Sequence, residues 1–369
     1  MIEQFKVISD AVRLEVKPEH RKKIGICGAG GIVDGAHLPA YKKAGLEVVA
    51  IFDTDNAKAK DVAARHAIPM VYTTLAELLA DPQVEIIDIA VPAAAQPEIF
   101  AQVAAAKKHI LAQKPFATNV AAGELMVKQA KDAGIIAAVN QQLRFEEGVA
   151  AAHKMVELGW IGDVSNFSIN VNLMTPWELW PWAKNLERLE VMLHSIHYHD
   201  LIRWFLGDAK TVFCAAGRTA GQFPIGETRT ISTSLYESGV TSVVHANHVN
   251  RGNDNYAEYR IDGDKGSIRG TLGLLYDYPT GRLDTIEINS SVIHSDGWLR
   301  YPVTTRWFPD AFIGTMGSVM EAISTGAPLR SSVAENVGTL KMVEALYKSI
   351  DSGTSIQLNH PEGLNNESK

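Results

Sequence analysis

Short apolar runs and stretches of helical period alternate along the first part of the chain. Runs at 24–27, 47–52, 84–91, 109–112 and 135–139 have the length of buried strands. Between them, residues 57–66, 74–79, 97–106 and 120–133 repeat their apolar positions at helical spacing. Such alternation predicts βαβ units, and hence a doubly wound parallel sheet with helices on both faces. Beyond Arg144 the rhythm changes. A helix over 146–158 ends near Gly159, a long strand follows over 165–173, and a tryptophan-rich loop leads into a helix over 190–206. Runs at 210–217, 229–237, 240–250, 256–262, 266–271 and 283–289 then alternate apolar and polar positions. Turn residues such as Glu237-Ser238-Gly239 and Asp262-Gly263-Asp264-Lys265-Gly266 separate them. They predict a large, mostly antiparallel open sheet. Helices at 310–325 and 333–351 close the pattern. The fold class is therefore α/β over 23–143, joined to an α+β unit over 144–358. Residues 1–22 are either a packed element or a loose arm, and a polar tail over 359–369 is expected to be disordered.

Composition narrows the function. With 369 residues, 46% hydrophobic and 21% charged, the chain has the size of two globular domains. A net charge of -7 without any basic cluster argues against a nucleic-acid partner. No apolar run approaches the roughly 20 residues that span a bilayer. The first 22 residues lack the apolar core of a secretory leader, so a cytoplasmic location is expected. Of the two cysteines, Cys27 sits in the first strand as a small buried filler rather than half of a disulfide with Cys214.

Chemistry collects at the strand ends. The first strand stops at Gly28-Ala29-Gly30-Gly31-Ile32-Val33, a glycine turn whose following helix start offers free N–H groups to a pyrophosphate. Val33 stands where that pattern has Gly or Ala. The second strand, 46–52, ends at Asp53, close to the roughly 20-residue spacing of a ribose-binding acid. A carboxylate there repels a 2′-phosphate, and no arginine is nearby, so NAD is expected over NADP. Lys114 ends the strand over 109–112 in Gln113-Lys114-Pro115; it offers a fixed cation for the alkoxide that develops as hydride leaves an alcohol. In Leu193-His194-Ser195-Ile196-His197-Tyr198-His199-Asp200, helical spacing puts His194, His197 and Asp200 on one side. A neutral histidine suits a general base, with Asp200 to orient it. A metal site is the less favoured reading, since His-x-x-His lacks a further carboxylate and histidine, and a structural histidine pair is the third. Trp177, Trp180 and Trp182 either stack on a sugar face or pack under a long loop. If they stack, a cyclic sugar, glycoside or inositol-like substrate follows, oxidised at a ring secondary hydroxyl.

Taken together these segments resemble the Gfo/Idh/MocA family of sugar and polyol oxidoreductases over residues 23–351. The resemblance rests on Gly28-Ala29-Gly30-Gly31-Ile32, His37-Leu38-Pro39, Asp53, Gln113-Lys114-Pro115, Ile161-Gly162-Asp163-Val164, His197 with Asp200, and Val343-Glu344-Ala345-Leu346-Tyr347. It implies an N-terminal Rossmann domain, a C-terminal sheet that builds the substrate pocket and mediates oligomers, and Lys114 with His197 as the catalytic pair. Cofactor contacts are implied for Gly28, Gly30, Gly31, Ile32, Asp53, Pro92, Gln96, Gln113 and Lys114. Substrate contacts are expected from Arg144, Trp177, Trp182, Glu190, His194 and His197. The chain departs from the family at four places: Gln113 replaces a glutamate, Pro92-Ala93-Ala94-Ala95-Gln96 replaces Pro-Asn-x-x-His, Leu193 replaces an aspartate, and Glu190 stands where glycines are usual. Those changes suggest that His194 or Glu190 has taken over substrate contacts. An NAD-requiring glycoside hydrolase and a non-catalytic nucleotide sensor are the alternative functions. A sheet of about six strands with one bare apolar face would pair with a second copy.

Overall fold

The structure is a computed structural model in which residues 3–252, 254–293 and 296–358 are described; the tail expected over 359–369 lies outside them. The helices are α1 (Lys6–Ala11), α2 (Leu38–Lys43), α3 (Asn56–His66), α4 (Leu75–Ala80), α5 (Gln96–Ala105), α6 (Val120–Ala133), α7 (Glu147–Glu157), α8 (Ile196–Leu206), α9 (Ala311–Thr325) and α10 (Val333–Ser352). Their starts follow local chemistry. Asp55, Asn119 and Ser332 each accept a backbone N–H at the first turn of α3, α6 and α10, and Thr74 with Glu77 closes a capping box on α4.

Strands β1 (Ile24–Cys27), β2 (Val48–Phe52), β3 (Met70–Tyr72), β4 (Ile86–Ile89), β5 (His109–Gln113) and β6 (Ala137–Asn140) form one parallel sheet in the order β3-β2-β1-β4-β5-β6. The order reverses between β1 and β4, so a crevice opens at their carboxyl ends beside the glycine turn. Strand β3 has no counterpart in the sequence pattern: three half-exposed residues carry no period to read.

The second sheet holds nine strands among the described residues, not about six. They are β7 (Val164–Asn172), β8 (Thr211–Gly217), β9 (Arg229–Leu235), β10 (Thr241–Asn247), β11 (Tyr256–Gly263), β12 (Gly266–Thr271), β13 (Ile286–Ser290), β14 (Leu299–Tyr301) and β15 (Ile356–Gln357), ordered β14-β13-β12-β11-β7-β10-β9-β8-β15. Only β7 and β10 pair in parallel; the other pairings are antiparallel.

The chain termini tie the two sheets together. Phe5 and Ile8 on and before α1 are fully buried in the core of the second sheet, where the Phe5 ring meets Tyr301 and Trp160. Residues 3–21 are thus a packed element rather than a loose arm, ending with Val16 in the core of the first sheet. Helix α9 comes back to that first sheet, packing Phe312, Met316, Val319 and Met320 among Ile24, Ile26 and Leu111. Helix α10 carries Val337 and Leu340 into the other face of the first sheet and Val343 and Leu346 into the second. Both cysteines are free and buried, and burial pushes each thiol up to about 12. Among the described residues no helix is long and apolar enough to cross a membrane.

Candidate active site

The nucleotide end is built where β1 stops. Gly28 has a φ of 111°, and a Cβ there would lie 2.5 Å from the Ala90 carbonyl, so only glycine makes this turn. A Cβ on Gly30 or Gly31 would meet nothing within 4 Å, which leaves backbone open to a pyrophosphate at the helix start. Ile32 is half-buried beside it, and Val33 is fully buried, so the third position of the turn serves packing. The helix widens into a π-type turn over Val33–His37 before α2. Asp53 closes β2 next to the turn. Its Oδ2 accepts the Ala29 N–H at 2.6 Å and its Oδ1 the Asp55 N–H at 2.8 Å. Oδ1 also accepts the Thr54 hydroxyl at 3.4 Å, and the lone pair left on Oδ2 fits a ribose hydroxyl. Pro92 is exposed on the turn after β4. Gln96 is fully buried, and its Nε2 donates to the carbonyls of Val91, Gln113 and Pro115 at 3.2, 2.7 and 3.0 Å. It staples two strand ends together, while its Oε1 is buried without a partner.

Lys114 links this end to the second half of the site. Its Nζ donates to the Leu193 carbonyl at 2.6 Å, across the crevice from β5 to the histidine segment. Part of the residue meets the surface, yet burial around the ammonium lowers its pKa to about 7. No carboxylate offsets that burial: Gln113 stands beside it, its Oε1 accepting the Lys114 backbone N–H at 2.8 Å. The histidine segment is a second π-type turn, Val191–Ser195, running into α8. Glu227 caps it from β9's approach loop, accepting N–H bonds from Leu189 and Val191 at 3.0 and 3.3 Å, and Tyr347 O–H donates to Glu227 at 2.7 Å. His197 is buried with its Nδ1 unpartnered, and its ring stands edge-on to Trp307 with the ring centroids 5.7 Å apart. Burial, Lys114 and His194 hold it well below the usual imidazole range, and burial with His248 and Lys114 does the same to His194. Both rings are therefore neutral at neutral pH. His199 is buried apart from them, and burial takes its pKa to about 4.

Two residues expected at the substrate, Arg144 and Glu190, and the acid expected to orient His197, Asp200, are engaged elsewhere. Arg144 is buried; its Nε and Nη2 each lie 2.6 Å from an Asp200 oxygen, and Nη2 lies 2.8 Å from Glu335. Asp200 thus holds Arg144, with Thr339 as its other partner, and does not orient His197. Glu190 is fully buried and accepts from Ser195 Oγ and from Thr230 Oγ1 at 2.5 Å, with His248 Nε2 3.4 Å away. Burial raises its pKa, but His248, Ser195 and Thr230 outweigh that and keep it low. The tryptophans divide. Trp177 is 5% exposed with its ring 5.1 Å from His194 and 5.6 Å from His248, whereas Trp182 is 57% exposed.

The sequence pattern missed His248, which stands just past β10 with Nδ1 2.7 Å from Thr175 Oγ1, and Trp307 beside His197. It also missed the chemistry of His37 and Asp88 behind Lys114, although His37 lies in one of the quoted motifs. Isolated histidines and strand-end acids carry no periodic signal. Among the described residues no group of three or more His, Cys, Asp or Glu side chains is placed to hold a metal ion.

Comparison with known proteins gives the same architecture. Residues 22–141 match an oxidoreductase family with an NAD-binding Rossmann fold, and residues 149–269 match the GFO/IDH/MocA C-terminal domain. D-apiose dehydrogenase of Paraburkholderia graminis is 26% identical over 89% of this chain and 88% of its own length. D-xylose 1-dehydrogenase (NADP(+)) 2 of Haloferax volcanii is 24% identical over 90% of this chain and 99% of its own. An Agrobacterium radiobacter oxidoreductase solved with NAD+, L-tartaric acid and magnesium shares the fold at a TM-score of 0.81, with 23% identity over 91% of this chain and 98% of that one. With the glycine turn, Asp53 and the lysine-histidine crevice in place, the cofactor is NAD, and the chain belongs to the Gfo/Idh/MocA family of oxidoreductases.

Proposed function

We propose that this protein oxidises a ring secondary hydroxyl of a sugar, glycoside or polyol to a ketone. The observation that carries the reading is the 2.6 Å bond from Lys114 Nζ to the Leu193 carbonyl, which sets a lysine from the cofactor sheet against the turn that leads into His197. NAD, when bound, accepts the hydride. The protein's part is to hold the nucleotide on the glycine turn and Asp53 and to take the hydroxyl proton. His197, neutral and buried, accepts the hydrogen bond of the hydroxyl but is a poor place for a proton. Lys114, with a pKa of about 7, titrates in the operating range and takes the proton in its amine form. The cation expected from the sequence is thus better read as the proton acceptor, because no carboxylate holds it charged. Trp177 backs the site behind His194, and the sugar relatives support a carbohydrate in front of it.

The test is NADH formation across pentoses, hexoses, glycosides and inositols, with D-apiose and D-xylose included. NADH production that rises with pH through about 7, and that falls by a factor of about 10² or more in Lys114→Met, supports the reading. Aglycone release without net NADH would instead make the protein a hydrolase. We also propose a cytoplasmic homo-oligomer, the sheet face argued below serving as its interface.

A further inference from the structure

Behind Lys114 lies a chain of buried, hydrogen-bonded polar groups. His37 is fully buried in the first π-type turn, with Nδ1 2.6 Å from Asp88 Oδ2 and Nε2 3.1 Å from Gln113 Nε2 and 3.3 Å from Asn140 Nδ2. Tyr41 O–H donates to the same Asp88 oxygen at 2.7 Å. The Gln113 amide has no freedom to turn over. The Lys114 backbone N–H can only donate, and it reaches Gln113 Oε1 at 2.8 Å. The amide therefore presents its NH2 group to His37, and His37 Nε2 must accept. That leaves a single ring proton, on Nδ1, pointing at Asp88. Hydrogen bonds then run one way from Lys114 N–H through Gln113 and His37 to the carboxylate of Asp88, each link polarising the next.

We propose that His37 and Asp88 are positioning residues for Lys114: Asp88 fixes the tautomer of His37, the tautomer fixes the Gln113 amide, and the amide fixes the backbone of Lys114 at the end of β5. The glutamine is part of the device. A carboxylate at 113 would need a proton from His37 Nε2, the atom that here carries none. Gln96 holds the carbonyl side of the same strand end, so the N–H side depends on this chain. The inference rests on Lys114 being the residue that handles the proton.

Two measurements decide it. Nitrogen-15 spectra of histidine-labelled protein near pH 7 should show His37 protonated at Nδ1 alone; protonation at Nε2, or at both nitrogens, overturns the proposal without reference to any substrate. Kinetics test the consequence, using NAD+ reduction on the sugar panel above. Asp88→Asn removes the charge that holds the ring proton on Nδ1 and can offer an NH2 to that atom, which frees the proton for Nε2, against the Gln113 NH2. Turnover should fall by about tenfold or more, as a lysine displaced by a fraction of an ångström loses alignment, while NAD+ affinity and sugar KM stay unchanged. Adding Gln113→Glu to Asp88→Asn supplies an acceptor for the Nε2 proton and for the Lys114 N–H, so the double variant should recover most of the lost turnover. A double variant no better than the single overturns the proposal. If instead Lys114→Met keeps full turnover while the tautomer is as stated, it is the proposed function that fails.

Discussion

At the scale of single residues, Lys114 and Arg144 show two answers to a buried cation. Arg144 is matched by two carboxylates, and Lys114 by none. The unfolded chain holds the Lys114 proton with the ordinary pKa of 10.5, the folded chain with about 7. Between those values the unfolded state binds more protons, so this lysine contributes stability that rises with pH and is lost as pH falls from 10.5 to 7. Lys114→Met should therefore raise Tm in thermal melts, most below pH 7 and not at all near pH 10.5, while abolishing turnover. A gain that is flat with pH would mean that the ammonium is well solvated. Asp200→Ala leaves the Arg144 guanidinium buried and half-matched, and should cost about 3 kcal/mol in urea unfolding. Unchanged stability would free Arg144 for a ligand after all. Asp53→Ala should weaken NAD binding and narrow the preference over NADP, measured as the ratio of the two Kd values.

Among the elements, local signals fixed those with a chemical start and stop. Helix α6 runs from Val120 to Ala133 as expected because Asn119 caps it and Gly134 ends it at a φ of 66°. The last motif of the chain acts the same way at long range: Glu344 accepts the Val120 N–H that starts α6, and Tyr347 serves the cap of the histidine turn. Short strands were not legible. The three residues of β14 and the two of β15 gain their conformation from pairing with β13 and β8. The loop at 174–182 was legible as either wall or core, and its tryptophans divide between a buried Trp177 and an exposed Trp182. Trp177→Ala should cost about 3–5 kcal/mol of stability as well as substrate affinity, because it empties a buried site beside His194. Trp182→Ala should leave Tm unchanged and raise the sugar KM alone. Equal effects of the two on Tm would contradict this division.

For the whole molecule, the second sheet is built with its polar side inward along β9. Thr230, Ser232 and Ser234 are buried, while Ile231 and Leu235 are 51% and 44% exposed. Phe213 of the neighbouring β8 stands 37% exposed in the register opposite Thr233. The inward hydroxyls are not idle, since Thr230 holds buried Glu190. The outward apolar patch has no cover in one chain, and a second copy would bury it across a two-fold axis. Light scattering should find a dimer or a multiple of it at micromolar concentration, and the pair Ile231→Lys with Leu235→Lys should reduce it to monomer. A wild-type monomer would contradict the proposed assembly.

The sequence by itself determined the Rossmann-type half, the antiparallel half and the chemistry at the ends of β1, β2 and β5. Those features rest on periods and turns that act within a few residues, where local sterics and caps suffice. Only the tertiary structure decided which polar groups are left at the crevice and which are spent on the core. Asp200 and Glu190 share the histidine segment with His197 in sequence, but Arg144 claims the first and Ser195, Thr230 and His248 the second. Partners for a buried charge come from whatever element packs against it, and no spacing along the chain reports that. The return of α9 to the first sheet, the burial of α1 under the second, and the line from Asp88 to Lys114 are of the same kind. Each joins segments distant in sequence, and burial and hydrogen bonding in the folded core set its energy.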